Sequence, residues 1–497
     1  MFGGFDDFFL ERSKSLGKSS LFKLYSFGRP SVMVAGSKRI KSLLDREFRA
    51  SPAAEPGQVN QVAIIGNSDM LLGKDSLQSV TESKEEYKSF QRLVGQSMSP
   101  KALSEAMPAL QKAAECSIKS MTDSEGSVKA VDVFHKFTMD IAWRQIVGLD
   151  LKTENEIETF IEELQTWSNG IVNYVLWFLP RFVIKLSKPY RAKVYLTDLI
   201  QRKIEQLEQN GPDESTLSGM VFAIDDSENI VDADVSSDSH NAKRLTKKQI
   251  IDNCLLLFVA GSETSSNTLT NIIYMMGKNR RVWEKLVEEQ NKVMSAHGSE
   301  LTKKIIDQEC PYLEAVIKES MRILSVSGGG VRTVDQTVTI DGTQIPKNWV
   351  AWYGIGLTHA LDPVTWTEDE SHMDPVKGFK PERWLKAETT PKEYLPFGAG
   401  FRFCLGYGLA LAEMKTYLAV MARTVDFTLM EKNGTKTKWK EGFIRTPKDG
   451  VPIEVVSLKQ EDTLSPDKVV DIEGLILRTI ENDKDGSKST MADEVVL

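Results

Sequence analysis

Cys404 stands in "FGAGFRFCLG" (397–406), among glycines, an arginine and aromatic residues that a buried structural cysteine does not need. Glycines at 398, 400, 406 and 408 let a backbone bend tightly and approach a flat partner without a Cβ in the way. The run that follows, "LGYGLALAEMKTYLAVMART", is apolar at helical spacing and predicts a buried helix. A cysteine just before a helix N-terminus gains from free N–H groups and the macrodipole, both of which favour thiolate. Arg402, two residues before it, adds positive charge or binds an anionic group such as a carboxylate. A thiolate on a glycine-rich loop is what an iron ligand requires. The plain alternative is a buried cysteine near a helix start.

Two further stretches carry polar residues where structure alone does not ask for them. "LTKKQIIDNCLLLFVAGSETSSNTLTNIIYMMG" opens with Thr246 and Gln249 at capping-box spacing and then runs helical to Gly277. In its middle lies Ala260-Gly261-Ser262-Glu263-Thr264. Small residues there leave room beside a cofactor, and a mid-helix hydroxyl bends the helix or holds water. A polar interruption of a buried helix would look the same. In "CPYLEAVIKESMRILS", Pro311 suits a helix start, and Glu319 and Arg322 share a helix face at ion-pair spacing. "FKPERW" adds Arg383.

These stretches together carry a family resemblance. "FGAGFRFCLG" fits F-x-x-G-x-R-x-C-x-G at every fixed position, which chance would supply roughly once in ten thousand chains of this size. It resembles the haem-ligand signature of the cytochrome P450 family. The resemblance implies that Cys404 is the axial thiolate ligand of haem iron, with Phe397, Gly400 and Gly406 among the haem-binding residues of the loop and Arg402 on a haem propionate. Ala260-Gly261-Ser262-Glu263-Thr264 matches the family's oxygen-activation motif, so Ala260 and Gly261 would border the haem while Glu263 and Thr264 organise proton delivery. By the same likeness Glu319, Arg322 and Arg383 form a structural triad under the haem loop, and Arg332 in "GGGVRTV" is a second propionate ligand. One departure stands out. The helix "KEEYKSFQRLVGQSMSP" (84–100) has Tyr87 where relatives carry Trp or His, and Gln91 where Arg is expected four residues later. Arg92 is displaced by one residue, a rotation of about 100°, which puts that propionate contact in doubt. The resemblance covers roughly residues 5–458. "SGGGVRT", the 338–355 hairpin and "FLPRFVIKLSKPYRAK" look most like the branch containing retinoic-acid, sterol and terpenoid hydroxylases.

The resemblance implies a monooxygenase that uses haem b (iron protoporphyrin IX), O2, and electrons from NAD(P)H through a flavoprotein reductase or a ferredoxin. Its substrate would be hydrophobic: a sterol, terpenoid or retinoid. Two other readings keep the fold: a haem isomerase or dehydratase of oxygenated lipids, and a non-catalytic haem or lipid carrier. The intact cysteine loop and threonine motif speak against both.

The elements that must position these residues read as mainly α with small β sheets, the P450 fold, with the haem between a long central helix and the cysteine loop. "LFKLYSFGRPSVMVAG" (21–36) predicts a hairpin turning at Gly28. "VTIDGTQIPKNWVAWYGI" (338–355) predicts another turning at Asp341-Gly342. Amphipathic stretches fall at about 101–122, 130–147, 154–170 and 188–209. The 497 residues are 41% hydrophobic and 27% charged, enough for a large core, and no Pro/Gly-rich linker divides the first 450. One catalytic domain over 1–458 is expected, with an acidic insertion at about 211–244; residues 211–242 hold eight Asp/Glu and no Lys/Arg. The acidic extension 459–497, with ten acidic and five basic residues, is read as mobile. A net charge of −8 without a long basic run argues against nucleic acid as a partner. The four cysteines show no disulfide or zinc spacing, as in a reducing, intracellular compartment. No run reaches the roughly 18 apolar residues of a membrane span, and the N-terminus lacks a signal-peptide core. The expectation is therefore a cytoplasmic or peripherally membrane-associated chain. "IVNYVLWFLPRFVI" (171–184) reads either as an interfacial segment or as a buried helix pair.

Overall fold

The computed structural model describes residues 5–26, 28–47, 58–61, 67, 69–79, 84–124, 126–171, 173–225, 244–430 and 447–458. Most of the acidic insertion and all of the 459–497 extension lie outside them. In chain order the helices are α1 (Phe5–Ser15), α2 (Ser37–Leu44), α3 (Asp69–Leu72), α4 (Lys84–Gly95), α5 (Pro100–Thr122) and α6 (Ala130–Ile141). They continue with α7 (Glu154–Ile171), α8 (Tyr174–Trp177), α9 (Arg181–Leu186), α10 (Lys188–Asn210), α11 (Thr216–Phe222) and α12 (Lys247–Lys278). The last are α13 (Arg280–His297), α14 (Lys303–Gln308), α15 (Pro311–Ile323), α16 (Ile355–Ala360) and α17 (Tyr407–Thr424). The long amphipathic stretches fold where their periodicity puts them. In α10, Ala192, Leu196, Ile200, Ile204 and Leu207 recur at helical spacing and are buried. They join Phe160, Leu164 and Trp167 of α7 in one apolar cluster.

The central helix α12 starts at the expected capping box. Thr246 accepts from Gln249 N–H, and Gln249 in turn accepts from Thr246 N–H at 2.9 Å. From Ser265 to Met276 every residue is buried, the mark of a helix surrounded on all sides. Its two halves serve different cores. Ile250, Cys254, Leu255 and Phe258 pack with α4, α7, α10 and α11. Leu269 to Met276 pack with α5, α6, α13, α15 and α17. Residues 259–264 fall on the seam between the two. α6 runs on into a π turn, Ala142–Val147, closed by Gly148 at φ 68°.

Five strands form a sheet in the order β1 (Leu21–Ser26), β2 (Arg29–Val34), β8 (Val350–Gly354), β5 (Gly329–Gln336), β3 (Gln58–Gln61). β2 and β8 run parallel; the other neighbours are antiparallel. A smaller sheet joins β4 (Val128–Lys129), β10 (Pro452–Ser457) and β9 (Val425–Leu429). β6 (Val338–Ile340) and β7 (Thr343–Ile345) make a separate hairpin. The 21–36 hairpin forms as expected, with Gly28 at φ 70°. The 338–355 stretch is only half a hairpin. Asp341 (φ 47°) and Gly342 (φ 75°) make the turn, but after Ile345 the chain leaves its partner. Pro346 has no N–H to continue the ladder, and β8 joins the five-stranded sheet instead.

Candidate active site

The cysteine loop is built by two left-handed glycines and a reversed chain. Gly398 (φ 78°) and Gly400 (φ 66°) hold conformations that side chains resist. Cys404 N–H donates to Phe397 C=O at 3.0 Å, and Tyr407 N–H to Cys404 C=O at 3.3 Å. Phe397 packs edge-to-face on Tyr407, centroids 4.8 Å apart, at the first turn of α17. Gly406 has an ordinary φ of −81° and Gly408 is helical. Gly408 is instead a packing glycine, because a Cβ there would stand 2.7 Å from Leu103 of α5. A Cβ at Gly406 would meet no atom within 4 Å, so that side of the loop faces open space. Phe401 and Leu405 pack toward one core and Phe397 toward the other, so Cys404 lies on the same seam as the middle of α12.

At that middle, Ala260 is exposed while its neighbours Val259 and Gly261 are half-buried. Thr264 Oγ1 donates to Ala260 C=O at 2.7 Å, and Ser262 Oγ to Phe258 C=O at 2.6 Å. Such back-bonding hydroxyls loosen the local helix. A Cβ on Gly261 would lie 3.9 Å from Ile146, so this glycine borders the π turn. Glu263, one residue from Thr264 and about 100° round the helix, meets His135 of α6: Oε1 is 2.9 Å from Nε2. Ser168 Oγ of α7 donates to the same oxygen at 3.3 Å.

Arg402 and Arg332 converge on one buried acid that the sequence did not single out. Glu47 accepts from Arg402 Nε at 2.7 Å and from Arg332 Nε at 3.0 Å. Arg402 also donates to Leu77 C=O at 3.1 Å, and its guanidinium lies 4.3 Å over the ring of Tyr87. Burial raises the Tyr87 phenol, with Arg402 opposing, so the ring stays neutral beside the cations. Arg92 faces elsewhere and pairs with Asp225 at 2.8 and 3.3 Å. The one-residue displacement seen in the sequence therefore takes it out of the cradle.

Beneath the loop, Glu319 is fully buried and accepts from Arg322 (2.9 and 3.0 Å), Arg383 Nε (2.8 Å), Trp384 Nε1 (2.9 Å) and Lys380 N–H (3.2 Å). Burial raises its carboxyl pKa, but the Arg322 and Arg383 charges outweigh burial, and the net shift is downward. Arg322 C=O is bound by His359 Nδ1 at 3.1 Å, and His359 Nε2 accepts Leu395 N–H at 3.1 Å, two residues before Phe397. That pairing fixes a neutral imidazole, and burial pushes its pKa down to about 3. Glu413, on α17, is another buried acid that the sequence did not single out. Burial pushes its pKa up to about 8, offset only by the Ser265 hydroxyl next to Thr264. A glutamate inside an otherwise apolar helical run was the signal for it.

These residues fit a haem. Cys404 has accessible surface, yet burial still pushes its thiol pKa up, with Gly406 N–H opposing. Deprotonation of the thiol would fall to a bound iron. Among the described residues no group of three or more His, Cys, Asp or Glu could hold a bare metal ion. One thiol, an open small-residue helix face and two guanidiniums suit an iron porphyrin with two carboxylates.

The protein-family model for cytochrome P450 matches residues 4–452. The chain belongs to that family. Putative cytochrome P450 120 of Synechocystis is 26% identical over 459 residues, covering 91% of this chain and 92% of that protein. Cytochrome P450 26B1 of Xenopus tropicalis is 26% identical over 86% of this chain and 79% of that protein. For cytochrome P450 26A1 of Danio rerio the figures are 27%, 90% and 85%. A solved structure described as retinoic-acid-bound cyanobacterial CYP120A1 superposes with a TM-score of 0.72 at 25% identity, covering 91% of this chain and 94% of that one. This P450 is accordingly a haem monooxygenase that takes electrons from a redox partner and acts on a hydrophobic substrate. No helix among its described residues is long and apolar enough to cross a membrane.

Proposed function

We propose that this P450 hydroxylates a retinoid or a similarly elongated isoprenoid. The observation that carries the reading is the likeness, over nearly the whole chain, to a cyanobacterial P450 solved with retinoic acid. Cys404 would hold the iron, and Arg402 and Arg332 would hold the propionates. The thiolate-bound haem supplies the activation of O2 that inserts one oxygen atom into a C–H bond. The chain's own share is placement and proton control. Ala260 leaves room beside the reacting carbon, and half-buried Leu256, Leu257 and Val259 exclude water from that side of α12. Thr264 Oγ1 holds a proton on Ala260 C=O that it can redirect, and Glu263 is the neighbouring acid that replaces it.

The test is spectral titration of the ferric enzyme with all-trans-retinoic acid, a sterol and a fatty acid, followed by turnover. A retinoid that displaces the iron-bound water at micromolar concentration and yields a hydroxylated product supports the assignment. Response to the fatty acid alone overturns it. Thr264→Ala is expected to keep at least half of the NADPH oxidation while product falls about tenfold and hydrogen peroxide appears instead. Tight coupling in that variant would remove Thr264 from proton delivery.

Two finer partner assignments belong to the same reading. Phe178, Phe182 and Leu186 are each about 70% exposed, and Arg181, Lys185 and Lys188 interleave with them. Buried Ile184 holds the other side, so α9 is half core and half surface. This composition suits contact with an anionic lipid surface. On the cysteine side, Lys84 and Lys88 lie over Phe401, and Phe403 and Tyr407 are exposed, which suits an acidic electron donor.

A further inference from the structure

Glu263 does not turn toward the Thr264 hydroxyl. It reaches across to α6, where His135 Nε2 is 2.9 Å from Oε1, while Ser168 Oγ of α7 adds a second contact at 3.3 Å. The side chains of His135 and Glu263 are each about one-fifth exposed, at 21% and 23%, so the pair reaches water at one end. One helical turn after His135, Thr138 Oγ1 lies 3.1 Å from Ser262 C=O, which ties the two helices together beside the pair. Asn267 Nδ2 donates to Glu263 C=O at 2.6 Å and holds the backbone of the acid itself. The charged groups nearest in the chain to His135, Ser168 and Glu263 lie apart from the pair. Asp132, Lys136 and Glu162 are exposed, Glu163 is half-buried on α7, and Asp140 pairs with Arg144 at 2.7 Å.

We propose that His135 is the residue that supplies protons to Glu263, and through it to Thr264. The inference rests on the proton-delivery reading given above. In each transfer the imidazolium of His135 gives its Nε2 proton to Glu263 Oε1 and becomes neutral imidazole, which then takes up one proton from hydronium in the solvent; the N–H bond broken is replaced by the O–H bond formed, and no group changes oxidation state. Glu263 then turns through its side-chain torsions toward Thr264, while Ser168 and His135 draw the emptied carboxylate back. His135 acts through Glu263, so it is a positioning and relay residue.

The test uses His135→Gln and His135→Phe in the haem-loaded enzyme. Glutamine keeps a donor for Glu263 but cannot relay a proton; phenylalanine does neither. Both are expected to raise the solvent deuterium isotope effect on turnover and to lower product per NADPH about tenfold. Hydrogen peroxide supplied in place of O2 and reductant should restore product. A second readout does not depend on turnover. The chain has five histidines, so the 15N signal of His135 in the carbon monoxide form is assignable by its loss in His135→Phe. Glu263→Gln should shift the Nε2 resonance of His135. Wild-type coupling in His135→Gln, or an Nε2 signal indifferent to Glu263→Gln, overturns the proposal. Failure to form a thiolate-ligated haem at all would instead overturn the underlying assignment, and the same Nε2 comparison made on the haem-free chain would still decide the His135–Glu263 contact.

Discussion

Between Arg332 and Arg402, Glu47 holds two like charges side by side in the protein interior. A buried carboxylate shared by two guanidiniums is sustained by its geometry, and removing it leaves both cations uncompensated. Glu47→Ala in the haem-free chain should lose about 3 kcal/mol in urea titration. The haem-loaded protein should lose less, because propionates would pair with the same guanidiniums. Equal losses in both states would mean that Arg402 and Arg332 do not face the cofactor. Cys404→Ser tests the other half of the cradle. It should abolish the strongly red-shifted Soret band of the ferrous carbon monoxide form and leave the position typical of a neutral ligand. Retention of the shifted band would exclude Cys404 as the ligand.

At the scale of elements, α15 and α17 brace the loop through buried acids in opposite protonation states. Glu319 on α15 is ionised by Arg322 and Arg383, and Glu319→Gln should cost about 3–5 kcal/mol because both arginines stay buried. Glu413 on α17 is held protonated. Its pKa is near 8 in the fold and near the ordinary 4.5 when unfolded, so the folded state binds the extra proton. Stability from this group is present below about pH 4.5 and is lost as pH rises through 8. Glu413→Gln should therefore raise the Tm at pH 8 more than at pH 5; a gain independent of pH would refute a protonated Glu413. His359 works in the opposite window. Its folded pKa of about 3 lies below the ordinary 6.5, so stability is lost as pH falls from 6.5 toward 3, at about 1.4 kcal/mol per pH unit. His359→Gln should flatten that slope in acid unfolding curves, whatever its stability at pH 7.

For the whole molecule, what the sequence disclosed is what neighbouring residues decide. The capping box at Thr246, the Asp341-Gly342 turn and the Glu319–Arg322 face are local and legible. The displacement of Arg92 was legible too, since it follows from helix geometry alone. Glu47 was not, because its partner Arg402 is 355 positions away and nothing near Glu47 announces it. His135 and Asp225 escaped for the same reason: an ordinary polar residue acquires meaning only from what the packing sets against it. The split core has a consequence for how the protein comes apart. The two apolar clusters share α12 and the seam around it, and a bound haem would touch both. Without that bridge, each half is a cooperative unit with its own melting point. Calorimetry should show one transition in the loaded enzyme and two after haem extraction, with the α4–α7–α10 half melting first because fewer buried residues hold it. The cofactor that carries the chemistry would then also be what makes the chain fold as one body.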